Sequence, residues 1–164
     1  MATSGEMVLG GLIKPDLVQV NLTGADRDAV LGELVDLIPN IKDEPAAREK
    51  LMKALHEREQ LHSTGIGDGV ALPHARNALV GLVTEPVIVF GRHLSGIPYA
   101  AIDGKPAQLF FLLVAPSVTR HLAVLARISR VLRDPRLRQN LLSAGTPVEV
   151  QKAITEAEAK MYGN

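Results

Sequence analysis

Five histidines, at positions 56, 62, 74, 93 and 121, carry most of the reactive chemistry open to this chain, because it contains no cysteine. Without thiols there are no disulfides, thiolate metal sites, iron–sulfur ligands or cysteine nucleophiles. The densest grouping of chemistry-bearing types runs from Glu57 through Arg58, Ser63, Thr64, Gly65, Gly67, Asp68 and Gly69 to Pro73-His74 and Arg76. Pro73 cannot continue a strand ladder and holds Leu72 extended, so His74 is expected just past a strand end, at a sheet edge. Two readings of this stretch stand side by side. In one, the glycine-rich loop turns backbone N–H groups inward, Ser63 and Thr64 add hydroxyl donors, and Arg58 supplies a planar, permanently charged fork, making an anion cradle beside an imidazole. In the other, Pro73-His74 is an ordinary turn with a satisfied histidine, and the glycines only let the chain bend. Asp68 puts a negative charge into that loop, which the cradle tolerates only if the carboxylate points away or caps an amide.

Other signatures fail on inspection. His56-Glu57 opens a helix-borne zinc motif, but Gln60 stands where the second histidine belongs. Gly65, Gly67 and Gly69 bring the third glycine one residue too early for a dinucleotide loop. Gly104-Lys105-Pro106 lacks the hydroxyl residue and the upstream glycine of a phosphate loop, and no GxSxG elbow occurs. No metal site and no cofactor is expected. Eighteen basic against eighteen acidic residues leave no net field to draw the chain to nucleic acid or an anionic membrane. Aromatics make up 3%, too few for a base-stacking or carbohydrate-stacking platform. The longest apolar run, Leu109 to Ala115, is far short of a membrane span, and no basic region precedes the weak apolar patch from Met7 to Ile13. These features read as a cytoplasmic protein.

The elements that must position the histidine follow from periodicity. Residues 1–11 read as a flexible leader and 12–164 as a single domain. Leu17 to Leu22 is expected as a strand, Asp26 as the cap of a helix that Pro39-Asn40 stops, and Pro45 as the start of a second helix reaching about Glu59. Pro86 to Leu94 and the continuous apolar run Ala107 to Val114 read as strands. An amphipathic helix follows from Thr119 until Pro135 breaks it, and two shorter helices complete the chain. Helix pairs flanking several strands make an α/β fold of one domain, a mixed β-sheet covered on both sides. Arginines 120, 127, 130, 133, 136 and 138 form a basic run over the late helices, either a solvated face or a docking surface for an acidic partner.

The string Ser63-Thr64-Gly65-Ile66-Gly67-Asp68-Gly69-Val70-Ala71-Leu72-Pro73-His74, preceded by His56-Glu57-Arg58-Glu59, closely resembles the active-site signature of the enzyme IIA components (EIIA type 2) of the bacterial phosphotransferase system, fructose, mannitol and nitrogen-regulatory type. The resemblance continues through Glu85 to Phe90, Asp103 to Pro106, Leu109 to Pro116 and the His121-Leu122 helix. It implies a three-layer α/β/α sandwich and a phosphohistidine relay. His74 is then the phosphoryl acceptor at Nε2, with a backbone carbonyl holding Nδ1–H; Arg58 steadies the phosphohistidine; His121 hydrogen-bonds the phosphoryl group or fixes the His74 ring. Ser63, Thr64, Gly65 and Gly67 are expected to contact the phosphate. The implied partners are the phosphocarrier protein HPr or a paralogue as donor and a sugar-specific IIB domain as acceptor. The alternative is a nitrogen-type regulator whose phosphorylation state controls binding to partner proteins. His56, His62 and His93 read as surface or structural residues, His62 standing where a small residue is common in the family.

Overall fold

The computed structural model describes residues 8–75 and 81–163. Arg76, the last residue of the signature stretch, and Met7 lie outside the described residues. The elements, in order, are α1 (Leu9–Leu12), β1 (Val18–Gln19), α2 (Arg27–Val35), α3 (Pro39–Lys42), α4 (Pro45–Leu61), β2 (Gly65–Gly67), β3 (Val70–Ala71), β4 (Val87–Ile97), β5 (Ala107–Val114), α5 (Val118–Val131), α6 (Pro135–Ser143) and α7 (Pro147–Tyr162). The five strands form one mixed sheet in the order β1-β4-β5-β3-β2, parallel between β1 and β4 and between β3 and β5, antiparallel elsewhere.

Strand β5 shows why the sheet is sandwiched. Side chains alternate faces with a period of two, and every residue of β5 but Gln108 is buried. Leu109, Phe111 and Leu113 enter one core with Val124, Ile128, Leu137, Leu141, Val150 and Ile154 from α5, α6 and α7. Phe110, Leu112 and Val114 enter the other with Val30, Leu31, Leu34, Leu51 and Leu55 from α2 and α4. The result is a three-layer α/β/α sandwich. Each fully buried leucine in these layers contributes about 1.5–3 kcal/mol, which fixes the helices against the strands that carry the site. No helix among the described residues is long and apolar enough to cross a membrane.

Local chemistry sets the boundaries, with some departures from expectation. Asp26 caps α2 by accepting the Ala29 N–H at 2.9 Å. Pro39 and Pro135, expected to end or break helices, each occupy the first position of a new one; a missing N–H costs nothing there. The expected strand Leu17 to Leu22 shortens to Val18–Gln19 behind a 3-10 turn, Pro15–Leu17. The glycine loop is a β-hairpin: β2 and β3 pair antiparallel, and Asp68 and Gly69 between them have φ of +56° and +79°. Two consecutive positive φ values are what a type I′ turn requires, and Asp-Gly is its favoured dipeptide.

The expected leader differs where it is described. Leu9 is 1% exposed and packs in the core formed by α5, α6 and α7. The buried Glu158 carboxylate accepts the N–H groups of Leu9 (2.8 Å) and Gly10 (3.4 Å), and Gln151 Nε2 donates to the Gly10 carbonyl at 2.9 Å. From Val8 onward the chain is thus tied to α7, because a buried carboxylate answers helix N–H groups that would otherwise lack partners.

Candidate functional site

His74 lies beyond the carboxyl end of β3, held by a parallel bridge to Leu113 and by the Leu113 N–H, which donates to the Pro73 carbonyl at 3.0 Å. Its Nδ1 is 2.6 Å from the Leu72 carbonyl oxygen. A carbonyl only accepts, so Nδ1 carries the proton and the Nε2 lone pair is left free. Strand β5 ends one residue beyond Leu113, and α5 begins at Val118 with Ser117 as its cap. The first turn of α5 brings His121 to a ring-centroid distance of 5.2 Å from His74, the planes inclined by 53°. A bridged strand end, a short connection and a helix start thus converge two histidines 47 residues apart.

Both imidazoles are held below the ordinary histidine pKa. For His74 burial is the main cause; the Leu72 hydrogen bond opposes it, the Arg58 charge adds to it, and the Glu59 charge opposes it. For His121 burial again leads, followed by the His74 charge. Taking a cation out of water disfavours the protonated form, so both rings are neutral at pH 7 and Nε2 of His74 is a competent nucleophile. Arg58, in the last turn of α4, donates Nη1–H to the His62 carbonyl at 2.7 Å, leaving the rest of its fork unbonded among the described residues.

The residues around the loop are organised by a group that sequence reasoning passed over. Glu59 is 5% exposed. It accepts the Thr64 N–H at 2.9 Å, the Tyr99 hydroxyl at 2.8 Å and the Thr64 hydroxyl in a short contact. Burial and the Glu59 charge push the Tyr99 hydroxyl far up from its usual pKa, so it stays a donor. Ser63 Oγ donates to the Tyr99 carbonyl and accepts the Gly65 N–H at 3.0 Å. The signal for Glu59 was its apolar setting in α4, one residue after Arg58 and four after the core residue Leu55: a carboxylate on that face needs partners.

This wiring changes the expected cradle. The hydroxyl protons of Ser63 and Thr64 and the N–H groups of Thr64 and Gly65 already have protein acceptors. Gly65 packs against Ala101, which would lie 3.0 Å from any Cβ placed there. Gly67 pairs with Val70 at the turn end of the hairpin. His74 is four residues past Val70, about 13 Å of extended chain, so Gly67 belongs to the opposite end of the hairpin from the imidazole. Asp68 is there too, its N–H donated to Asp103 Oδ2 at 2.9 Å and its carboxylate facing Arg138 at 3.8 Å, away from His74.

The remaining histidines and the basic run have other surroundings. His93 Nδ1 accepts the Gly96 N–H, so its Nε2–H donates to Gly24 O at 2.9 Å. His56 lies 3.6 Å from Asp28, and His62 is exposed. Arg120 pairs with Glu85 at 2.9 Å. Arg127 pairs with the buried Glu158 and lies over the Tyr162 ring at 3.8 Å. Part of the run is therefore structural, since a buried carboxylate demands its cation. Among the described residues no three His, Asp or Glu side chains group as a metal site.

Comparison with known proteins gives a consistent picture. The model of the family "Phosphoenolpyruvate-dependent sugar phosphotransferase system, EIIA 2" matches residues 11–157. A fructose-specific EIIA component from Haloferax volcanii is 32% identical over 86% of this chain and 90% of its own length. A nitrogen regulatory protein from Pseudomonas aeruginosa is 30% identical over 90% of this chain and 94% of its own. A fructose-specific EIIABC component from Bacillus subtilis is 33% identical over 84% of this chain, which spans only 21% of that longer protein. Among solved structures, the nitrogen regulatory protein IIA-Ntr from Neisseria meningitidis superposes with a TM-score of 0.79 at 26% identity, covering 91% of this chain and 100% of that one.

Proposed function

Because the chain belongs to the EIIA 2 family of the phosphoenolpyruvate-dependent sugar phosphotransferase system, we propose that it relays a phosphoryl group through Nε2 of His74. The observation that carries this reading is the His74 ring itself: Nδ1–H is held by the Leu72 carbonyl, Nε2 is free, and burial keeps the ring neutral. The donor is phosphorylated HPr or a paralogue. The Nε2 lone pair attacks phosphorus in line as the bond to the donor's nitrogen breaks, and that bond's electron pair returns to the donor ring. The Nδ1 proton stays on the Leu72 hydrogen bond throughout, so it spreads the charge of the phosphorylated ring without leaving it. Attack by the acceptor protein's nucleophile on the same phosphorus reverses the sequence.

Arg58 supplies the permanent charge that meets the phosphoryl oxygens, and His121 donates a ring N–H to them or steadies the His74 ring. Ser63, Thr64 and Gly65 act as the loop wall that Glu59 holds in register. We assign Gly67 no phosphate contact, given its place at the hairpin turn. The whole described chain forms one domain, working in the cytoplasm with its donor.

Two destinations for the phosphate share this acceptor. The name of the Haloferax relative, a fructose-specific EIIA component, supports the sugar branch, in which a sugar-specific IIB domain takes the phosphate; the nitrogen regulatory names of the Pseudomonas relative and the Neisseria structure support the regulatory branch, in which phosphorylation state decides the partner. Incubation with phosphoenolpyruvate, enzyme I and HPr is expected to add one acid-labile phosphate, abolished by His74→Ala; undiminished labelling of that variant overturns the assignment. Chasing the labelled phosphate then separates the destinations. Rapid loss to a IIB domain means transport, and a stable phosphoprotein means regulation.

A further inference from the structure

A polar cleft of about 470 Å³ opens at the other end of the hairpin from His74. Gly69, at the turn, accepts the N–H groups of Gln108 and Leu109 at the start of β5, whereas His74 bridges Leu113 near its end. The two places are thus about 16 Å apart along β5. The cleft is within the size range of small-ligand sites.

Its lining is unevenly satisfied. Arg138 is only 18% exposed, and its Nη1–H donates to the Leu132 carbonyl at 2.7 Å, which fixes the guanidinium. The facing Asp68 carboxylate stands 3.8 Å from Nη2, too far for a hydrogen bond, and is 64% exposed, so that pair is weak. Lys105 lines the same cleft, and Arg133 lines an adjoining one of about 360 Å³ that shares Asp68 and Arg138. Besides Asp68, the nearby carboxylate is Asp103, which is engaged by the N–H groups of Asp68 and Lys105. Gln108 donates its Nε2–H to the Leu94 carbonyl at 2.8 Å, and among the described residues no protein donor meets its Oε1. Gln139 and Ser95 add further polar groups at the wall.

We propose that this cleft binds a small phosphate monoester with a hydroxylated body. The phosphate takes the Arg138 fork and the Lys105 ammonium, displacing the loosely held Asp68 carboxylate, and the hydroxyls meet Gln108, Gln139 and Ser95. A planar guanidinium with unfilled N–H donors matches a tetrahedral oxyanion two bonds at a time. The volume exceeds what phosphate alone fills, and the Gln108 carbonyl oxygen at the wall is an acceptor that a hydroxyl can meet and a phosphate dianion cannot. The site is independent of the relay proposed for His74.

The test is a titration of the full chain with ribose 5-phosphate, ribose and inorganic phosphate, followed by amide NMR. Ribose 5-phosphate is expected to shift Asp68, Gly69, Lys105 and Gln139 saturably, inorganic phosphate the same amides more weakly, and ribose none. Arg138→Met is expected to weaken binding about tenfold or more, and Lys105→Ala, at an exposed position, to weaken it less. His74→Ala is expected to bind as the parent does. No saturable shift at millimolar ribose 5-phosphate, parental affinity in both charge variants, or loss of binding in His74→Ala each overturns the proposal.

Discussion

The two ends of the β2–β3 hairpin use charge in opposite ways. At the His74 end, two imidazoles 5.2 Å apart are kept neutral by burial, and Glu59 is sealed among three donors. At the turn end, Asp68 and Lys105 stand in solvent, and the Asp68–Arg138 pair is 3.8 Å apart. The same short hairpin therefore joins a site whose polar groups are buried and bonded to one whose carboxylate and ammonium stand in solvent. Burial makes the difference: a charge removed from water must be neutralised or fully bonded, while an exposed one needs neither.

Breaking the buried end should cost most. Glu59→Ala leaves the Thr64 N–H and the Tyr99 hydroxyl without partners, so urea denaturation is expected to show a loss of about 3 kcal/mol or more. A loss no larger than that at the turn end would erase the contrast. Arg58→Ala is expected to leave the fold intact and slow phosphoryl transfer about a hundredfold, read by rapid-quench labelling; a parental rate would remove Arg58 from the site.

The pH response is the next smaller effect. An unfolded histidine titrates near about 6.5, and folded His74 and His121 lie below that. Between those values the unfolded chain binds more protons, so stability is complete above the unfolded pKa and falls as pH drops through it toward the folded values. Denaturation from about pH 7.5 to about pH 5 is expected to show this loss, diminished in the double variant His74→Asn, His121→Asn. A flat profile in the parent would contradict the burial account. The smallest effect is expected for Asp68→Asn, within about 0.5 kcal/mol, because its ion pair is exposed and long.

Much of the fold is legible in the sequence. Pro73 announced a strand end at His74, the unbroken apolar run Ala107 to Val114 marked a strand buried on both faces, and Asp26 marked a helix cap. The hairpin was also legible, in Asp68-Gly69, but its three glycines drew the reading toward an anion loop. Pro39 and Pro135 stand past the ends of α2 and α5, as expected, and each also opens the next helix, where its missing N–H costs nothing.

Local residue types and spacing by themselves determined the α/β class, the strand that carries the core and the placing of His74 just past a strand end. Only the tertiary structure decided that His121 meets His74, that Ser63 and Thr64 spend their protons on Tyr99 and Glu59, and that Asp68 lines the far cleft. The reason is physical. A strand end or a helix cap is set by a few neighbouring residues, whereas the burial and partners of a polar group depend on which distant segment packs against it.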